Sequence, residues 1–263
     1  MLYLASVDWA VSKIILIHLF IAERLLASCP MGLNDYGSGV CGLFITYGKN
    51  YCDAHQACRD AGISLGLRLV LTGTNVSKFI AASNRPSMVF TSINTLLTRR
   101  DNWYAGWRIG VPGYSSYATP ADPNIPWGQD QPNHLTELLV LIKGKHIHDD
   151  IQLSTTAASA CEWVGATFTL QTDPRPELFY SRFPETLSNF FFPDLWSTGC
   201  FDQQQTSTIL SCAKICKQNS DCRSFYYNNE AQKCMIALYV DSRLPLDMKC
   251  LPGKWHRYGR PNW

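Results

Sequence analysis

WRIGVPGYSSYATPADPNIPWGQDQPN, residues 107 to 133, is the stretch on which the fold of this chain turns. It opens with Trp107-Arg108-Ile109-Gly110-Val111, a short β-branched and aromatic run closed by Pro112 and Gly113, as a buried strand is bounded. From Pro112 to Asn133 proline and glycine recur with little periodicity. A stretch of that length without periodicity is kept by a compact domain chiefly for binding, so a ligand site is expected there. Working outward, Leu138 to Ile142 is a second aliphatic run of strand type. Upstream, Asp53 to Gly62 carries Ala54, Ala57 and Cys58 at helical spacing and closes on a glycine, which predicts a short amphipathic helix with Cys58 facing inward. The first domain is therefore expected to be α+β.

The chain has 263 residues, a length that suggests two small domains. Hydrophobic residues make up 46% and charged residues 17%, a composition that folds. A net charge of +2 with no stripe of Lys and Arg argues against nucleic acid as a partner. Eleven cysteines without paired C-x2-C units point to an oxidising compartment, hence to a secreted, extracellular protein. At the N-terminus Lys13 precedes an apolar run from Ile14 to Ala22, and Ala27-Ser28 offers small residues for cleavage. Residues 1–28 are read as a signal peptide. A membrane anchor is the alternative, but the run is about half of the ~20 apolar residues a span needs, and it contains His18. No later segment is long and apolar enough to span. Asn75-Val76-Ser77 is a sequon, so Asn75 is a candidate glycosylation site.

The cysteines fall into two groups, Cys29, Cys41, Cys52, Cys58 and Cys161, then Cys200, Cys212, Cys216, Cys222, Cys234 and Cys250. Between them Pro174, Pro176, Pro184 and Pro193 disfavour long helices and central strands. The expected plan is a first domain over 29–165, a linker over 166–188 and a second domain over 189–263. The aromatic residues Phe190, Phe191, Phe192 and Trp196 are expected to form the first strand of that second domain. Its spacing, C-x11-C-x3-C-x5-C-x11-C-x15-C, is that of a small disulfide scaffold with fifteen possible connectivities.

These residues resemble two known modules. Cys29-Pro30 with Cys41, Cys58 with Ala160-Cys161-Glu162, the Trp107–Val111 strand with Arg108 as an extra residue, and Trp127 followed by Gln131-Pro132-Asn133 resemble a C-type lectin domain. That resemblance implies Cys29–Cys41 and Cys58–Cys161 disulfides. The family's inner disulfide would fall at Leu139 and Leu153, where two leucines are expected to pack instead. Cys52 has no partner in this scheme, leaving an intermolecular bond or a buried free thiol. Ser211 to Cys216, Cys222 to Tyr227, and Cys234 resemble a PAN/apple domain, which implies Cys200–Cys250, Cys212–Cys234 and Cys216–Cys222. In that domain Phe225 is expected in the core, rather than on an aromatic sugar platform with Tyr226 and Tyr227.

The lectin resemblance also implies a calcium and carbohydrate site. By position its ligands are Gln131 and Asn133 flanking a cis Pro132, then Glu137, Asp149 and Asp150, with His148 replacing a tryptophan. The set carries three carboxylates, suited to a hard cation that takes six to eight oxygens. A calcium-bound sugar hydroxyl wants one donor and one acceptor, whereas Gln131 with Asn133 offers amide donors and Glu137 with Asp149 offers acceptors. Gln131 leans toward galactose and Asn133 toward mannose, so specificity stays open. An auxiliary calcium site is not expected, because His134 and Leu138 occupy its acidic positions. The plain alternative is that these are solvated loop polars. No G-x-S-x-G, H-E-x-x-H or glycine-rich phosphate loop occurs, so no enzyme is expected. Two readings remain: a calcium-dependent lectin binding glycans or glycoproteins, or a protein-binding module on a lectin-like scaffold. Protein partners through the PAN/apple domain are a further expectation.

Overall fold

A computed structural model describes residues 29–113, 122, 125–153, 155–167, 176–261 and 263. The expected signal peptide lies outside the described residues, as do most of 114–124 in the long loop and 168–175 of the expected linker.

The N-terminal half is a mixed sheet built on β8 (Ala157–Thr167), flanked on one edge by β2 (Cys41–Lys49) and on the other by β3 (Leu67–Leu71) and β4 (Met88–Asn94). β1 (Asn34–Asp35) caps β2, β5 (Arg108–Ile109) pairs with β4, and β6 (Leu139–Lys143) carries the sheet on to β7 (His146–Asp150). One helix, α1 (Tyr51–Leu65), packs on this sheet, and a short α2 (Val76–Ile80) follows. α1 is longer than its sequence expectation at both ends. The Asn50 side chain accepts the Asp53 N–H at its start, and Gly66, at φ +68°, ends it. Gly62, expected to stop the helix, is buried inside it, because a Cβ there would lie 2.6 Å from the Leu67 carbonyl. Tyr51, Ala54, Cys58 and Gly62 form the inward stripe, three or four residues apart. Cys58 bonds Cys161 across a separation of 103 residues, a closure worth about 4 to 5 kcal/mol in the chain-entropy model.

The C-terminal half is a four-stranded antiparallel sheet, in the order β12 (Trp255–Gly259), β10 (Cys222–Asn228), β11 (Lys233–Leu238), β9 (Phe201–Gln205), with α3 (Ile209–Gln218) against it. Thr208 caps α3 by accepting the Ser211 N–H at 3.1 Å. Cys212 and Cys216, one turn apart and both buried, reach Cys234 on β11 and Cys222 at the head of β10. Phe225 is in the core as expected, and Tyr226 and Tyr227 are buried with it, so none of the three is a surface platform. The first strand is β9; Phe190–Phe192 instead forms an isolated bridge, Phe191 to Leu244.

Two further expectations need correction. Cys200 does not pair with Cys250: it bonds Cys52 across 148 residues, and Cys250 is an exposed free thiol in the 3-10 turn Leu246–Cys250. The reason is that the halves dock. Gln152 accepts the N–H groups of Thr198 and Gly199 at 3.0 Å and donates to the Gly199 carbonyl at 3.0 Å, which sets Cys200 against Cys52 in the first turn of α1. Residues of the expected linker take part in these contacts: Glu177 pairs with Arg260, Tyr180 exchanges two backbone hydrogen bonds with Gly259, and Glu185 pairs with Arg108 at 2.7 Å. The second concerns the leucine pair. Leu139 is fully buried, but Leu153 is 52% exposed and packs nothing in place of the absent bridge.

One core cluster runs through both halves, joining Tyr51, Cys58, Leu69 and Leu96 to Phe192, Cys200, Tyr239 and Val240. The His55 ring stacks on Tyr239 at 5.0 Å, and burial pushes its pKa down to about 3, so it is neutral in the fold. Arg243 donates through Nε to the Leu97 carbonyl at 2.8 Å. Gly110, from the stretch quoted first, lies so close to the second half that a Cβ would sit 2.4 Å from Val240 Cγ1.

Candidate functional site

The β6–β7 hairpin sets Leu139 opposite Asp150 and Val140 opposite Asp149. The outgoing end of the long loop is fastened to β7 by Ile147, whose N–H donates to Pro126 and whose carbonyl accepts from Gly128, each at 2.9 Å. Trp127 packs on Trp107 with ring centroids 5.1 Å apart. The Gln131–Pro132 peptide is cis, as the resemblance implies. These anchors bring Gln131, Asn133, Glu137, Asp149 and Asp150 into one region, but they do not give the five side chains one task.

Strand alternation separates the two aspartates. Asp149 shares the inward face of β7 with Ile147 and is 3% exposed. Its carboxylate accepts the Asn133 N–H at 3.1 and 3.2 Å and the His134 N–H at 3.2 Å, while the Asp149 N–H donates to Gln131 Oε1 at 3.2 Å. Burial raises its pKa despite those hydrogen bonds. Asp150 accepts from Lys143 Nζ at 2.8 Å, Thr155 Oγ1 at 2.7 Å and the Ile151 N–H at 2.8 Å. Burial acts to raise Asp150, but the Lys143 and Thr155 bonds outweigh it and the pKa falls. Glu137 is raised by partial burial and then by the charges of Asp149 and Asp150. Among the described residues no hydrogen bond engages the side chains of Asn133 or Glu137.

Placed this way, three of the five side chains already have protein partners: the carboxylates of Asp149 and Asp150 and the carbonyl of Gln131 are engaged with protein donors. Among the described residues no group of three or more His, Cys, Asp or Glu is gathered to hold a metal. A cation that a sequence reading passes over lies in the same place. Arg100, 7% exposed, donates through Nη1 to the Trp103 carbonyl at 2.9 Å and through Nη2 to the His134 and Glu137 carbonyls at 2.7 Å each. Its guanidinium lies 4.6 Å from the Trp107 ring centroid. Burial lowers its pKa to about 10, with Asp149 and Glu137 opposing, so it is charged at neutral pH.

Because one guanidinium binds Trp103, His134 and Glu137, the Trp103-Tyr104 turn lies beside the Gln131–Glu137 loop. Trp103 is 43% and Tyr104 52% exposed, with rings edge to face at 6.3 Å. The only sequence signal for this pair is two adjacent aromatics in a polar turn after Asp101-Asn102. Asn75 donates its side-chain amide to Glu162, which also accepts from Thr72 at 2.7 Å, so the nitrogen a glycan would take is engaged.

Residues 197–245 match the PAN domain family model. That match covers the PAN domain's α3, β10, β11 and their two internal disulfides. Over about half its length the chain is similar to solved C-type lectin-like structures. They include the C-type lectin domain of murine dendritic cell inhibitory receptor 2 in complex with N-glycan, at 19% identity and TM-score 0.38 over 51% of this chain and 98% of that one. The cow C-type carbohydrate-recognition domain of CD23, in the presence of an oligosaccharide, is similar at 17% identity and TM-score 0.37 over 54% of this chain and 98% of that one. Human lithostathine is similar at 18% identity and TM-score 0.37 over 53% of this chain and 92% of that one. No curated protein matches the sequence. In the lectin-like half, Cys29–Cys41 and Cys58–Cys161 pair as the resemblance implies.

Proposed function

We propose that the chain is an extracellular carbohydrate-binding protein whose ligand face is the Gln131–Glu137 loop together with Trp103 and Tyr104. The observation that carries this reading is the pairing of polar side chains left without internal partners with exposed aromatic faces. Asn133 brings an amide, Glu137 a carboxylate acceptor, and Gln131 the amide nitrogen remaining once its oxygen has accepted from Asp149. A sugar ring presents hydroxyls that each donate and accept, and an apolar face that stacks on an aromatic ring. The aromatic pair adds what the amide-rich set lacks, contact area that is indifferent to hydrogen-bond matching. Ligands are therefore glycans or glycoproteins bound weakly per site, near the millimolar range of about −4 kcal/mol. Five disulfides support an extracellular setting, and the signal peptide over 1–28 is part of the same proposal.

A glycan array probed with the full chain tests the reading, with Trp103→Ala and Tyr104→Ala in parallel. Binding that falls in both variants supports it; binding unchanged in both places the ligand elsewhere. A second reading has its own observation: Trp103, Tyr104 and Leu135, the last 46% exposed, are large apolar side chains open to solvent on the proposed ligand loop and its neighbouring turn, as a protein partner would use. An array blank with and without added calcium, while a glycan-free protein partner is lost on Trp103→Ala, would establish that alternative.

A further inference from the structure

We propose that Arg100 is the cation around which the ligand loop is folded, so that the Gln131–Glu137 loop keeps its shape without a metal ion. The inference rests on this loop being the ligand face proposed above, and it concerns how that face is held. Loop carbonyls and clustered carboxylates are the groups a hard cation would gather. Here a guanidinium gathers the carbonyls of His134 and Glu137, from the loop, and of Trp103, from the neighbouring turn. The carboxylate of Asp149 faces the same region from the other side, and its two oxygens accept the N–H groups of Asn133 and His134. His134 is thus clamped through both backbone polar groups, its carbonyl by Arg100 and its N–H by Asp149.

The negative charge is offset in the same way. Glu137, Asp149 and Asp150 are the region's three carboxylates, and Lys143 pairs with Asp150 at 2.8 Å while Arg100 lies within the electrostatic reach of Asp149 and Glu137. Arg100 and Lys143 together bring two positive charges, the charge of one divalent ion. The Trp107 face under the guanidinium fixes its plane, and Trp107 Nε1 donates to the same Trp103 carbonyl at 2.9 Å. Arg100 is accordingly a positioning residue. It touches no ligand, but it sets where Asn133 and Glu137 stand relative to Trp103.

Amide hydrogen exchange on the full chain tests this, read at Asn133 and His134 in chelator and in calcium chloride. The wild type is expected to protect both amides equally in the two buffers. Arg100→Met, which keeps the side-chain length without the charge, is expected to raise their exchange by about tenfold or more, with amides of β10 unchanged as the control for global folding. Arg100→Lys is expected to restore only part of the protection, because an ammonium cannot fork to three carbonyls in one plane. Protection that arises in the wild type only with calcium overturns the proposal, as does full protection in Arg100→Met. If Arg100→Met fails to fold, the two-buffer comparison on the wild type decides alone. A blank glycan array with equal protection in both buffers would remove the proposed function and leave this inference standing.

Discussion

The seam between the two halves and the ligand loop are built from the same kinds of residue, and they use them in opposite ways. At the seam Gln152 makes three hydrogen bonds to the backbone of Thr198 and Gly199, Arg108 meets Glu185, and Arg243 reaches the Leu97 carbonyl. Each of these three side chains is closed by a partner elsewhere in the chain. At the loop, Asp149, Asp150 and Arg100 are closed in this way, while Asn133 and Glu137 are left open. A buried polar group costs stability unless it is paired, and an unpaired one at the surface is available to a ligand. The contrast separates residues that hold this molecule together from residues that can act on something else.

The largest effect is expected from breaking the seam covalently. Replacing both Cys52 and Cys200 with Ser removes a closure across 148 residues, worth about 5 kcal/mol in the chain-entropy model. Differential scanning calorimetry should then resolve two transitions in place of one, because each half keeps its own disulfides. Cys250→Ser should leave the thermogram unchanged.

Acid should weaken the seam next. His55 has a folded pKa of about 3, below the ordinary histidine value, so its contribution to stability is complete above the unfolded pKa and is lost as pH falls toward 3. Between about pH 6.5 and 5 the wild type should lose about 2 kcal/mol that a His55→Phe variant does not lose. Urea denaturation at the two pH values measures the difference. A smaller loss, about 1 to 3 kcal/mol at constant pH, is expected from Gly110→Ala, whose methyl meets Val240. Chemical denaturation of that variant should show the lowered midpoint.

What could be read in advance follows from how local each feature is. The Cys212–Cys234 and Cys216–Cys222 bonds, α3 and β10 were legible through the PAN/apple resemblance, which carries over features that lie inside one module. The partner of Cys200 was not, because it is decided by docking against α1, and no pattern around Cys52 or Cys200 encodes that contact. Arg108 showed as an extra residue in its strand, but its reason, Glu185, lies 77 positions away. The loop residues were found by type and position, yet their orientation was missed. Period-two alternation through Ile147 and Asp149 was the signal available, since an aliphatic residue two before an aspartate on a strand places that aspartate inward. Arg100 carried no such signal, because all three of its acceptors are backbone carbonyls.

The smallest effect on stability should accompany the largest effect on ligand. The double variant Asn133→Ala, Glu137→Gln trims one side chain and neutralises another, neither with a hydrogen-bond partner among the described residues, so its unfolding free energy should match the wild type within about 0.5 kcal/mol. The most direct test of the central claim is the glycan-array signal of that variant beside its melting temperature. The account predicts an unchanged melting temperature with glycan binding abolished; binding retained at wild-type strength would contradict it.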